Sequence, residues 1–251
     1  VRRLTGRVAV VTGGANGIGR GCALRLAEEG ADIALIDREI DALAETGALL
    51  REHGGRVLTV AGDCCDPSAI ENFVAETESE LGPIDILVNN VGQSARERQV
   101  PFLQSNEDVW RFVFEINLFT TMRFSRRIAP GMVERKRGSI INISSEDALI
   151  GVIRNADYGA AKMAVHGLTR SLAREVAPAG VTVNVLCPGP IRTRALEQGH
   201  PGLVQEAAST IPLGFIGEPY DVGAAVAFLA SADGRFITGQ TIVVNGGRWW
   251  V

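Results

Sequence analysis

Residues 8–29 read VAVVTGGANGIGRGCALRLAEE, and the order of that stretch decides the fold. Val8–Thr12 is a continuous apolar run of strand length, whereas Arg20–Glu29 repeats its apolar residues at three and four positions, the period of a helix. Between them lies a turn rich in glycine, Thr12–Gly19. Glycines permit a tight turn and let the main chain approach a ligand closely, and the free N–H groups at the start of the next helix favour a pyrophosphate. Gly13, Asn16, Gly17, Ile18 and Gly19 are therefore candidate dinucleotide contacts. A P-loop is excluded because no Lys-Ser/Thr follows the last glycine.

The next strand ends at Asp37, twenty residues past Gly17. A carboxylate there accepts hydrogen bonds from both hydroxyls of an adenosine ribose and repels a 2′-phosphate, which favours NAD over NADP. Arg38 pulls the other way, since a guanidinium beside the ribose can receive that phosphate or cover the adenine face. Strand candidates continue at Ile33–Ile36, Val57–Ala61, Ile84–Asn89, Ser139–Ile143, Val181–Leu186 and Thr241–Val244. Helix-period stretches at Gly17–Glu29, Glu39–His53, Pro67–Leu81, Glu107–Glu134 and Asp157–Pro178 separate the first six strands. This alternation predicts an α/β fold, a doubly wound, Rossmann-like parallel sheet of seven strands with helices on both faces. Unbroken apolar strands suit a sheet covered on both sides.

No Pro/Ser-rich linker, low-complexity block or repeat interrupts the chain, so residues 1–251 are expected to form one domain. Residues 188–213 have no clear period and follow the C-terminal end of a strand, where doubly wound sheets bind ligands, which makes them a candidate substrate lid. A composition of 46% hydrophobic and 22% charged residues excludes a disordered chain, and a net charge of −4 gives no general attraction to nucleic acid or anionic lipid. Small-molecule partners are expected. No apolar run approaches the ~20 residues of a membrane span and no secretory segment follows the first residues, so a cytoplasmic location is expected. Cys22, Cys64, Cys65 and Cys187 have the spacing of neither a disulfide framework nor a zinc site; reduced thiols and no metal are expected.

Tyr158 and Lys162 stand in Y-G-A-A-K, four positions apart and hence one turn apart on one helix face. A tyrosine near its ordinary pKa of ~10 is a poor base, but a fixed cation beside it favours the phenolate. Such a tyrosine can exchange a proton with an alcohol or ketone oxygen.

T-G-G-A-N-G-I-G at 12–19, G-D at 62–63, N-N-V-G at 89–92, Asn117, I-N-I-S-S at 141–145, Y-G-A-A-K at 158–162, P-G at 188–189 and N-G-G at 245–247 make the whole chain resemble the short-chain dehydrogenases/reductases. The resemblance implies the strand order 3-2-1-4-5-6-7 and a catalytic tetrad of Asn117, Ser145, Tyr158 and Lys162. Ser145 is chosen over Ser144 because it lies thirteen residues before Tyr158, the family's usual offset. It also implies Asp63 and Cys64 beside the adenine, Asn90 and Gly92 along the ribose, and Pro188, Gly189, Ile191 and Thr193 around the nicotinamide. In the mechanism so implied, Tyr158 exchanges the hydroxyl proton, Ser145 hydrogen-bonds the substrate oxygen, Lys162 holds the nicotinamide ribose, and Asn117 anchors a water leading to Lys162. Relatives are commonly tetramers, so a homotetramer is expected, with Trp249 and Trp250 reaching a neighbouring subunit.

The chain departs from the family at Glu146 and Asp147, where relatives carry small or apolar residues. Either these carboxylates face water as the strand ends, or they accept hydrogen bonds from a hydroxyl-rich substrate. Ser94, Arg96, Arg154 and Asn155 are further substrate candidates; with Gln93, Arg192, Arg194 and His200 they suit a carboxylate or a coenzyme A phosphate, or form a hydrophilic rim. The leading expectation is an NAD-dependent oxidoreductase interconverting a secondary alcohol, cyclic or polyol, with its ketone. The alternative is an NADPH-dependent 3-oxoacyl-thioester reductase. A catalytically idle dinucleotide sensor would lose part of the tetrad, and all four residues are present.

Overall fold

The computed structural model describes residues 2–198 and 202–250. β1 (Val8–Thr12) pairs in parallel with β2 (Asp32–Asp37) on one side and β4 (Ile84–Asn89) on the other. β3 (Val57–Ala61) extends the sheet beyond β2, while β5 (Gly138–Ile143), β6 (Val181–Pro188) and β7 (Thr241–Val244) extend it beyond β4. The resulting order is β3-β2-β1-β4-β5-β6-β7, all parallel, as the resemblance implies.

Strand residues alternate between two cores. Ala9 and Val11 of β1 and Ile33 and Leu35 of β2 join the layer beneath α1 (Gly17–Glu28), α2 (Ile40–Arg51) and α10 (Pro219–Ala230). Val8, Val10, Ala34 and Ile36 face the opposite layer, beneath α3 (Pro67–Glu80), α5 (Thr120–Glu134) and α7 (Ala156–Val176). With apolar cover on both faces, a strand has no polar side to show, which is why these strands read as unbroken hydrophobic runs. Helix starts are marked in the sequence: Asp66 accepts from Ser68 N ahead of Pro67, and Glu218 and Asp221 form a reciprocal cap around Pro219.

Two departures from the expected elements bear on the site. The stretch 107–134 is not one helix but α4 (Glu107–Phe114), a π-helical turn over Glu115–Phe119, and α5. That wider turn carries Asn117, fully buried, and π-turns of this kind recur at functional sites. After Ser145, a single-turn helix α6 (Asp147–Ile150) follows β5. Within the expected lid lie α8 (Arg194–Glu197) and α9 (Leu203–Ser209); Gly199, His200 and Pro201 fall outside the described residues. Among the described residues no helix is long and apolar enough to cross a membrane.

Candidate active site

The carboxyl ends of β1, β2 and β4 open onto a groove of about 370 Å³, lined by Gly13, Asn16, Gly17, Ile18, Asp37, Arg38, Asp63, Cys64, Asn90, Gly92, Tyr158, Lys162 and Thr193 among others. Gly19 is not in its lining, and its role is spatial. A Cβ there would stand 2.1 Å from Gly13 O, so only glycine lets the helix start so close beneath the turn. Asn90 spends its side-chain amide on the same turn, donating to Thr12 O and Gly13 O at 3.0 Å, and thereby braces the groove from β4. The Asp37 carboxylate is held at the rim by Ala15 N at 3.0 Å and Glu39 N at 3.1 Å. Glu39 in turn pairs with Arg194 of α8 at 2.6 Å, linking the far rim to the segment after β6. Burial pushes the Cys64 thiol up to about 12, which leaves it protonated and inert.

Tyr158, on the first turn of α7, stands where this groove meets a second cavity of about 400 Å³, and Lys162, one turn on, lines the groove alone. Lys162 is 3% exposed and its Nζ donates to Ile143 O at 2.9 Å. Burial lowers its ammonium to about 8. Tyr158 moves the opposite way from expectation. Burial pushes its phenol up, Asp147 adds to the effect, and a hydrogen bond with Ser145 opposes it. Lys162 Nζ lies 5.8 Å from the centre of the Tyr158 ring and does not overcome that desolvation. The protein's own groups therefore favour the phenol, the proton-donating form.

The groove fits a dinucleotide. Asn117 Oδ1 is buried without a hydrogen-bond partner, while its Nδ2 donates to Gln93 O and Val113 O, both at 2.8 Å. A Cβ on Gly92 would stand 2.4 Å from that orphaned oxygen and 2.7 Å from Lys162 Nζ, so the bare glycine keeps the approach to both open. An unpaired acceptor beside an ammonium at the groove floor suits ribose hydroxyls or a water bound with them.

Ser145, Pro188, Gly189 and Ile191 line the second cavity rather than the groove, together with Ser94, Arg96, Asp147, Asn155, Val152 and Leu196, while Tyr158 and Thr193 line both. Two substrate candidates fall away. Glu146 is 2% exposed, forms an ion pair with Arg248 and accepts from Asn245 Nδ2 at 3.2 Å, so it neither faces water nor reaches the cavity. Arg154 lines neither of these cavities; it borders a separate pocket of only about 10 Å³ with Arg98 and Asp157. Arg192 pairs with Glu218 at 2.8 Å on the surface. The sequence reading missed Arg248 as the partner that buries Glu146, and Gln99 as a neighbour of the cavity; the N-G-G-R run offered the only hint of the first.

A parallel sheet whose carboxyl edge joins a dinucleotide groove to a substrate-sized cavity through one tyrosine is the frame of a nicotinamide-dependent oxidoreductase. Sequence comparison agrees, and the chain belongs to the short-chain dehydrogenase/reductase family. The family model described as enoyl-(acyl carrier protein) reductase matches residues 13–248. The 3-oxoacyl-(acyl-carrier-protein) reductase of Vibrio cholerae is 38% identical over 99% of both chains. The BbsD subunit of a hydroxy(phenyl)methylsuccinyl-CoA dehydrogenase from Thauera aromatica is 38% identical over 96% of both. The crystal structure of a 3-oxoacyl-(acyl-carrier protein) reductase from Brucella melitensis superposes with a TM-score of 0.93 at 32% identity, covering 100% of this chain and 94% of that one.

Proposed function

We propose that the protein interconverts a 3-hydroxyacyl thioester and its 3-oxoacyl counterpart with NAD(H). The observation that carries this reading is that Tyr158 belongs to the walls of both cavities, with Lys162 on the dinucleotide side and Ser145 on the other. The relatives from Vibrio and Thauera bear the names of enzymes acting on acyl thioesters, which favours this class over a cyclic polyol. The polyol reading loses half its motive now that Glu146 is tied to Arg248.

Bound nicotinamide would supply or accept the hydride. Tyr158 Oη gives its proton to the carbonyl oxygen in the reducing direction, and the burial that favours the phenol suits that role. Ser145 Oγ, which lines the same cavity as Tyr158, donates to the same oxygen as negative charge develops there. Lys162 holds the ribose hydroxyls and returns a proton towards Tyr158, and Asn117 Oδ1 holds the water through which that proton arrives. Ile191 and Leu196 supply apolar wall to the second cavity from the segment after β6, which serves as its lid.

Asp37, with no basic residue in Gly14–Asn16, supports NAD over NADP. The test is reduction of acetoacetyl-CoA followed at the NADH and NADPH absorbance in parallel. Faster turnover with NADH is expected; preference for NADPH, or no turnover of the thioester, refutes the corresponding half of the proposal. Phe119, Met122 and Met163 leave apolar surface exposed on the π-turn, α5 and α7, and Trp249 and Trp250 do so at the far end of the sheet, which supports a homotetramer. Light scattering that returns a monomer mass excludes it.

A further inference from the structure

Among the described residues, Asp147 is the one carboxylate lining the second cavity. Its Oδ2 accepts from Asn155 Nδ2 at 2.8 Å, and Asn155 Oδ1 accepts from Gln99 Nε2 at 2.7 Å. Asn155 is itself buried, so this chain of three side chains fixes the plane of the carboxylate from behind. The Asp147 main chain is fixed as well, since its N–H donates to Ser145 Oγ at 3.1 Å. Only one of the carboxylate's roughly four acceptor positions is thereby used. Among the described residues no protein group donates to Oδ1. Burial pushes the Asp147 carboxyl above its usual range, and the neutral Asn155 amide offsets only part of that effect. Its field also reaches the Tyr158 phenol, which puts it within range of whatever that phenol touches.

The bond to Asn155 ties α6 to the residue that opens α7, and it uses Oδ2 alone. Glu146, not Asp147, makes the long-range ion pair at this corner. An oriented acceptor with a vacant lone pair, in the cavity that Tyr158 and Ser145 share, selects a partner that donates. We infer that Asp147 is a specificity-determining residue whose Oδ1 accepts a hydrogen bond from a hydroxyl or amide N–H that the substrate carries near its reacting carbonyl. The inference rests on the reading that Tyr158 and Ser145 bind the carbonyl oxygen. The donor has two possible sources: a second hydroxyl on the acyl chain, or the amide of the thioester arm.

The test compares wild type with D147A on three ketones. Ethyl acetoacetate has no donor, ethyl 4-hydroxyacetoacetate has a hydroxyl beside the ketone, and acetoacetyl-N-acetylcysteamine has an amide on the arm. Cyclohexane-1,2-diol and cyclohexanol form an independent pair in the oxidising direction. Wild type should prefer donor-bearing over donor-free compounds in kcat/KM, and D147A should cut that preference by about 10- to 100-fold, the value of one hydrogen bond to a charged group. A general loss of active-site geometry lowers both members of a pair together and leaves their ratio unmoved. D147N, which keeps a weaker acceptor, should fall between the two. Loss of preference only with the hydroxy ester assigns the donor to the acyl chain; loss only with the thioester assigns it to the arm. Ratios unchanged by D147A in every pair, or no turnover of any donor-bearing compound, overturn the inference. Turnover of the diol pair alone, with a ratio that depends on Asp147, refutes the thioester reading and leaves the Asp147 assignment standing.

Discussion

Replacing Arg248 by Met should destabilise the protein far more than its position near the end of the chain suggests. Glu146 is held at the join of three segments: its N–H donates to Pro188 O at 3.0 Å, and its carboxylate meets Arg248 and Asn245 from the turn after β7. The Glu146 side chain is 3% exposed and that of Arg248 27%. Removing one partner of a buried pair leaves an uncompensated charge and costs about 3–5 kcal/mol. Partial exposure of Arg248 lets water reach one side, and Asn245 stays bonded, so the low end, about 3 kcal/mol, applies. For a chain of this size each kcal/mol moves Tm by roughly 2–4 °C, so R248M should melt about 6–12 °C below wild type. The double variant E146Q/R248M removes both charges and should recover at least half of that loss, because the penalty belongs to the stranded carboxylate rather than to the missing attraction. Thermal melts at one protein concentration measure both quantities, since an oligomer's Tm depends on concentration. A fall of less than about 2 °C for R248M, or strictly additive effects in the double variant, would refute the reasoning.

K162M should lose activity yet gain stability, because burying the Lys162 ammonium is unfavourable. The depression from 10.5 to about 8 corresponds to about 3 kcal/mol at neutral pH. The folded-state value lies below the unfolded one, so wild-type stability rises between pH 8 and 10.5 and the advantage of K162M shrinks over that window; an advantage independent of pH contradicts this. D37S should weaken NADH binding by about 10- to 100-fold while sparing or improving NADPH, read by fluorescence titration; equal losses for both dinucleotides would remove Asp37 as the discriminator. G92A should abolish turnover and also lower Tm, through about 1–3 kcal/mol of overpacking, because the added Cβ would meet the buried Asn117 Oδ1 at 2.4 Å and Lys162 Nζ at 2.7 Å. Near-normal turnover would show that the approach to those two atoms is not needed.

What was legible in the sequence is what depends on near neighbours in the chain. The βα alternation, the glycine turn after β1 and Asp37 at the end of β2 follow from local pattern, and the structure places them where that pattern demands. The π-turn over Glu115–Phe119 was invisible because E-I-N-L-F keeps an ordinary helical period, and the extra residue shows only in backbone hydrogen bonding. Glu146 and Asp147 look alike as neighbours, but they part company because Arg248, a hundred residues on, captures one of them while Asn155 orients the other. The rise of the Tyr158 phenol likewise comes from burial by distant segments, which the i,i+4 spacing with Lys162 could not reveal.

In the proposed reaction Tyr158 moves the proton while the groove beside it holds the dinucleotide. This is tested most directly by Y158F, with NADH affinity measured by fluorescence titration and turnover measured on the same preparation. The dissociation constant should stay within about threefold of wild type and kcat should fall at least about a thousandfold, the upper range for one acid–base group. A variant that keeps more than a tenth of the wild-type rate would contradict that role for Tyr158.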